Sequence, residues 1–367
     1  MKITRIAVYQ VDLPLDKPYW LSGGRLKFEK LDSTIVSIET DQGITGWGEG
    51  CPWGVTYLPA FAGGIRAGIA ELAPALLGQD PCHLDQINHS MDTALPGHLY
   101  IKSALDIACW DILGKAANLP LYTLLGGRYS SHVVLQNSVS TGTPDEMLAI
   151  VRSGRAKGYT VHTVKIGADV GLDIERIHTL LADLQPHESI TFDVNRAWLP
   201  DQAIMVMNTI NNARPYFEQP CETLEECRTV RQFTRQPIIL DECIQSFESL
   251  LLAQRTQTAQ GIGLKIGRVG GLTKAKRMRD FCVSTGMRMN IEETGASQIG
   301  DTAAIHLAIA TPETHRHASW DCSALHSVVT ADGGYIREDG KATLSDKPGL
   351  GIEPRLEILG QAVAVYS

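Results

Sequence analysis

HTVKIG (162–167), SITFDVN (189–195), PYFEQP (215–220), PIILDE (237–242) and GIGLKIG (261–267) decide the fold of this chain. Each is a short apolar run with an ionisable residue near its end. These are Lys165, Asp193, Glu218, Asp241 and Lys265, spaced by 28, 25, 23 and 24 residues. That step holds one strand, one helix and two loops. In a parallel βα array, equivalent strand ends meet at one face of the sheet. The ladder therefore places three carboxylates, flanked by two lysines, around one point.

The same alternation extends outward on both sides. From about residue 132, strand-like and helical runs follow one another, from VVLQNSVS and PDEMLAIVRSGRAKG to MRMNIEE and TAAIHLAIAT, with a last strand near HASWD. Seven strand–helix units and a closing strand describe an α/β fold, a modified (β/α)7β barrel over 129–325. Thr143 and Thr223 read as helix caps. Upstream, 2–13 and 34–40 alternate as strands, and Gly43, Gly46, Gly48 and Gly50 mark turns around a short third strand. Helical stretches follow, of which IKSALDIACWDILGKAAN (101–118) reads as strongly amphipathic. Residues 1–128 thus form an α+β unit. The segment 326–367 reads as a Gly-rich hairpin and a return that packs back on that unit.

Totals narrow the function. The formal charge of −8 over 367 residues gives no electrostatic reason to expect nucleic acid or an anionic membrane. No apolar run approaches the roughly 20 residues of a spanning helix. The opening MKITRIAVYQVDLP alternates like a strand and lacks a signal-peptide core. The eight cysteines are scattered, with no CxxC pair. Buried free thiols in a cytoplasmic protein are the expectation.

Three carboxylates at one point are costly unless something neutralises them. Oxygen ligands without His or Cys call for Mg2+, with Mn2+ as the substitute, rather than zinc. Such a shell leaves coordination positions for a substrate. Lysines on opposite walls address opposite faces of a bound molecule. A lysine beside a metal and a second cation has its pKa lowered toward that of a base. Two Gly-flanked loops, PYWLSGGRLKFE (18–29) and CPWGVTY (51–57), carry Trp20, Trp53 and Tyr57 and suit a lid.

VKIG, DVNRAW, FEQP, LDE and LKIGRVGGLT together resemble the enolase superfamily, in its muconate-lactonizing-like subgroup. ALDIACWDILGK and LPLYTLLGG resemble the helix and turn that precede that family's barrel. The resemblance spans the chain. It implies an α+β capping domain, completed by the C-terminal segment, over the barrel. It also implies one Mg2+ held by Asp193, Glu218 and Asp241, with Lys165 and Lys265 as the acid/base pair. The shared chemistry is abstraction of a proton α to a carboxylate. Two departures stand out: Thr163 occupies a position where the subgroup usually has a second lysine, and the seventh strand, MRMNIEETG, has no histidine.

The lid loops, DTALPGHLYIKSALDIACWD (92–111) and the ending AVAVYS resemble those of the superfamily's cis-3-hydroxy-L-proline dehydratases. That implies a small cyclic amino acid as substrate. An aromatic lid of Trp20, Trp53 and Tyr57 suits its cationic ring; Asn195 is an expected contact, and Asp321 at the eighth strand end either pairs with the substrate ammonium or caps a loop. A homo-oligomer is the expected assembly. The same lysines suit a 2-epimerase acting on proline, hydroxyproline or a betaine, which is the alternative. A non-catalytic metal-binding sensor is disfavoured, because both lysines are present.

Overall fold

Alternating side chains from Ile3 onward build an antiparallel sheet of β1 (Ile3–Leu21), β2 (Leu26–Thr40) and β3 (Thr45–Gly50) in a computed structural model that describes residues 1–367. The stretch expected to be a loop at 18–29 is instead the far end of the β1–β2 hairpin. Tyr19 pairs with Phe28, Trp20 with Lys27 and Leu21 with Leu26, and a helical turn at Ser22–Gly24 joins the strands. Helices α1 (Ala62–Leu76), α2 (Leu84–Ala94) and α3 (Leu99–Ala117) follow, and the short α4 (Leu121–Leu124) leads out.

The expectation of an amphipathic α3 is corrected. Almost every residue from Tyr100 to Ile112 is buried, including Lys102, Asp106 and Asp111. The reason is that α3 is covered on both sides, by β3 and by the barrel. Gly46 and Gly48 lie inside β3 rather than at turns, because a Cβ there would come within 2.1 Å of the Ala108 carbonyl oxygen and 2.0 Å of that of Ala104. Only glycine allows strand and helix to approach so closely.

The barrel is a parallel sheet of seven strands. Their order runs from β5 (Gln136–Val139) through β6 (Val161–Lys165), β7 (Ser189–Asp193), β8 (Tyr216–Glu218), β9 (Ile238–Leu240) and β10 (Gly261–Lys265) to β11 (Arg288–Glu292). A two-residue strand, β4 (Val133–Val134), precedes it. The connecting helices are α5 (Pro144–Ala156), α6 (Val170–Asp183), α7 (Pro200–Thr209), α8 (Leu224–Phe233), α9 (Phe247–Arg255), α10 (Ile266–Val269), α11 (Leu272–Thr285) and α12 (Gln298–Ile309). Thr143 and Thr223 each accept from the backbone N–H three residues on, in capping boxes with Glu146 and Glu226. The eighth, extended segment at 315–319 closes the ring. Met289 N donates to the His315 carbonyl on one side, and Gln136 N donates to the Ser319 carbonyl on the other.

The C-terminal segment divides its pairing. The hairpin β13 (Tyr335–Glu338) and β14 (Lys341–Leu344) joins β4, while β12 (Ala331–Gly333) pairs with β15 (Ile352–Pro354). After α13 (Leu356–Leu359), β16 (Ala364–Tyr366) alone adds to the first sheet, beside β1. No helix is long and apolar enough to cross a membrane.

Two buried carboxylates fasten the first sheet and its helices to the barrel. Asp106 of α3 accepts from Thr273 N at 2.9 Å and Thr273 Oγ1 at 2.6 Å, at the start of α11. Glu49 of β3 accepts from Ser297 N, Ser297 Oγ and Gly300 N at the start of α12. Burial raises the pKa of both, and the helix N–H groups oppose it.

Candidate active site

Strand register brings the ladder to one level. Lys165 stands beside Asp193 and Asp193 beside Glu218 across three adjacent strands, and Lys265 stands beside Glu292 across two more. Lys165 on β6 and Lys265 on β10 lie four strands apart, on opposite walls. Both open on a small cavity of about 30 Å3, also lined by Asp193, Glu218, Tyr19, Trp53, Tyr57, Gln136, Ser138, Glu292, Thr294 and Trp320.

The charges inside are paired unevenly. Lys165 Nζ donates to Asp193 Oδ2 at 2.5 Å. Lys265 Nζ donates to Glu292 Oε1 at 3.0 Å and lies 3.6 Å from Asp241 Oδ2. Arg268 Nη2 donates to Asp241 Oδ1 at 2.8 Å, and Tyr57 Oη donates to Asp241 Oδ2 at 3.3 Å. Glu218 has no such partner. Burial and repulsion from Asp193, Asp241 and Glu292 hold its carboxyl well above the glutamate range. Asp241 is lowered although burial opposes this, because Arg268 and Lys265 face it. Glu242 is pushed up to about 7 by burial and by Asp241 and Asp193. For Lys165, burial favours the neutral amine, but Asp193, Tyr19 and Glu218 outweigh it and raise the pKa. Lys265 is raised in the same way, with Asp241 and Glu292 outweighing burial.

A hard divalent cation fits this donor set. Asp193, Glu218 and Asp241 are oxygen donors, each at most 3 % exposed. An unpaired Glu218 facing other carboxylates is the electrostatic arrangement such an ion relieves. The three do not form a ready coordination sphere, since Lys165, Lys265 and Arg268 take the neutralising role.

Three of the expected substrate contacts lie outside the cavity lining. Trp20 is 38 % exposed, points away from the cavity and lies under Lys27. It sits on a strand, where neighbouring side chains face opposite ways, so Tyr19 and Leu21 turn inward instead. Asn195 lies behind the cavity and donates to Asp193 Oδ2 and to Glu242 Oε1, both at 3.1 Å. Asp321 is buried and taken up by Arg337 and Tyr335, away from the cavity. Trp53 and Tyr57 do line it, and Trp53 packs against Tyr19 and Trp320 with ring centroids 5.6 and 5.4 Å apart.

Comparison with known proteins gives the family. The chain matches a mandelate racemase/muconate lactonizing enzyme N-terminal domain over residues 3–126 and an enolase C-terminal domain-like unit over 146–358. The chain belongs to the mandelate racemase/muconate lactonizing enzyme family. Among its relatives is a cis-3-hydroxy-L-proline dehydratase of Roseibium aggregatum, 44 % identical over the full length of both chains. An enolase-superfamily structure from Roseovarius nubinhibens, complexed with magnesium, superposes with a TM-score of 0.95 at 50 % identity, covering 100 % of this chain and 99 % of that one. An N-succinyl-L-Arg/Lys racemase of Bacillus cereus is 29 % identical over 96 % of this chain and 95 % of its own. Enzymes of this superfamily bind Mg2+, in line with the carboxylate set described above.

Tyr19, Trp320, Arg268, Gln136 and Glu292 are site residues that the sequence did not single out. One of them had a signal. Glu292 follows Lys265 by 27 residues at the end of a strand, one further step of the ladder. Trp320 had none, because it lies in a stretch without a repeating pattern, whereas Tyr19 follows from strand parity once β1 extends to Leu21.

Proposed function

We propose that this chain is a Mg2+-dependent hydro-lyase that converts cis-3-hydroxy-L-proline to Δ1-pyrroline-2-carboxylate. The reaction rests on one observation: Lys165 and Lys265 address a single cavity from opposite walls. The substrate rests on the dehydratase relative at 44 % identity, against 29 % for the racemase.

In the cis isomer the 3-hydroxyl and the carboxylate share a ring face. The α-proton therefore points away from the hydroxyl, and water is lost in the anti sense. Lys165 takes the α-proton on one face. The C–H electron pair becomes the new carbon–carbon π bond as the C3–O bond breaks. Lys265, held charged by Glu292 and Asp241, gives its proton to the departing hydroxide. The enamine then tautomerises to the cyclic imine. Tyr19, Trp53 and Trp320 enclose the ring and attract its ammonium through their faces. One Mg2+, or Mn2+ in its place, held by Asp193, Glu218 and Asp241, would stabilise the negative charge developing on the substrate carboxylate. With those carboxylates engaged, the force raising Lys165 weakens, and burial favours its neutral, basic form.

The test is proton NMR of the Mg2+-loaded protein with cis-3-hydroxy-L-proline. Stoichiometric pyrroline is expected, with no turnover of the trans isomer, whose hydroxyl lies on the face of the α-proton. Accumulation of the C2 epimer without loss of water would instead establish the epimerase reading, which the 29 % identical racemase and the same two lysines favour.

A further inference from the structure

Glu292, Gln136 and Thr163 form a hydrogen-bonded chain that ends on Lys265. Lys265 Nζ donates to Glu292 Oε1 at 3.0 Å, and Gln136 Nε2 donates to Glu292 Oε2 at 2.7 Å. Thr163 Oγ1 donates to Gln136 Oε1. All three are at most 6 % exposed, and all line the cavity. The polarity of the chain follows from its chemistry. A carboxylate only accepts, so the Gln136 amide must turn its NH2 toward Glu292, leaving its oxygen for the Thr163 hydroxyl. The chain crosses the seam where the eighth segment closes the barrel, from β6 to β5 and on to β11 and β10. Lys165 is held otherwise, by Asp193 on the neighbouring strand. A hydroxyl rather than an ammonium at position 163 leaves Lys265 as the one cation paired with Glu292.

We propose that Glu292 and Gln136 are positioning residues that fix the Lys265 ammonium on the wall opposite Lys165, with Thr163 holding the oxygen of the Gln136 amide. They do not touch the reacting atoms; they determine where the acid stands. The two lysines thereby become unequal: Lys165 is held by Asp193 on the side of the α-proton, and Lys265 is clamped by Glu292 at the leaving group. The kinetic consequence rests on the dehydratase reading; the structural consequence does not.

The experiment pairs crystal structures with kinetics for the wild type, Gln136→Leu and Glu292→Gln, with Glu292→Asp as the conservative control. Lys265 is expected to keep one position in the wild type and to leave it in Gln136→Leu. With cis-3-hydroxy-L-proline in D2O, elimination by Gln136→Leu and Glu292→Gln should fall about 100-fold, while exchange of the α-proton changes less than about threefold. Glu292→Asp should recover part of the elimination rate. Loss of exchange and elimination in equal proportion, or Lys265 unmoved in Gln136→Leu, overturns the proposal. A wild type that does not dehydrate this substrate contradicts the substrate reading alone, and the Lys265 position still decides this one.

Discussion

Glu218 shows at the scale of one residue what the site costs. It is buried among Asp193, Asp241 and Glu292, and its carboxyl is raised far from its ordinary range. A neutral amide of the same shape avoids that repulsion. Metal-free Glu218→Gln should therefore melt higher than the metal-free wild type, by about 5 °C, a stability gain at the expense of activity. Added Mg2+ should raise the wild-type midpoint in a saturable way and leave the variant's unchanged. Calorimetry with and without chelator checks both. The five ladder residues were legible because each ends an apolar run at a βα step. Trp20 belongs to a lid only if its stretch is a loop, where parity has no meaning; on a strand, parity selects Tyr19. Asp321 was legible as a strand-end acid, but nothing local announced that Arg337, 16 residues on, would occupy it. Asn195 was likewise visible, and only the fold turns its amide toward Asp193 and Glu242.

Among the elements, the β1–β2 hairpin covers one side of the cavity. Its tip docks on the barrel through Gly23 N to the Ile166 carbonyl at 3.0 Å and Ser22 Oγ to the Asn195 carbonyl at 3.0 Å. Trp20 N donates to Ser140 Oγ at 3.2 Å, and Tyr19 Oη meets Ser138 Oγ. The cavity of about 30 Å3 has room for about one water molecule. A cyclic amino acid therefore enters only when this hairpin or the 51–57 loop moves. Gly23 has φ +64°, and a Cβ there would lie 2.3 Å from the Gly167 carbonyl oxygen. Gly23→Ala should lower kcat/KM at least about tenfold, with the far-ultraviolet circular dichroism unchanged. Unchanged kinetics would sink the docking account. Helix α3 shows the converse limit of sequence reading. Its polar residues suggested a wet face, yet they are spent on long-range partners such as Thr273 and Asn88 for Asp106. Pattern alone does not distinguish a solvated face from one that meets a second domain.

The whole molecule is one apolar core running from the first sheet through α3 into the barrel. The barrel was legible from spacing, since seven βα units leave few other topologies. The divided pairing of the C-terminal segment was not, because short strands with no repeat carry no register. Stability of the assembly should depend on pH through buried histidines. Burial lowers His306 and His326 to about 4. In the unfolded chain both titrate near 6.5, so between about 4 and 6.5 the unfolded state binds more protons. Their stabilising contribution is complete above 6.5 and is lost as pH falls toward 4, by at most about 3 kcal/mol for His306. Urea titrations from pH 7 to 4.5 should show that decline, and His306→Gln should flatten it. The proposed function rests at this scale on two lysines on opposite walls, and the D2O reaction of Lys265→Ala with cis-3-hydroxy-L-proline tests it most directly. The account predicts that the α-proton exchanges with solvent while water is retained, and that Lys165→Ala does neither. Elimination at the wild-type rate by Lys265→Ala, or exchange persisting in Lys165→Ala, would contradict it.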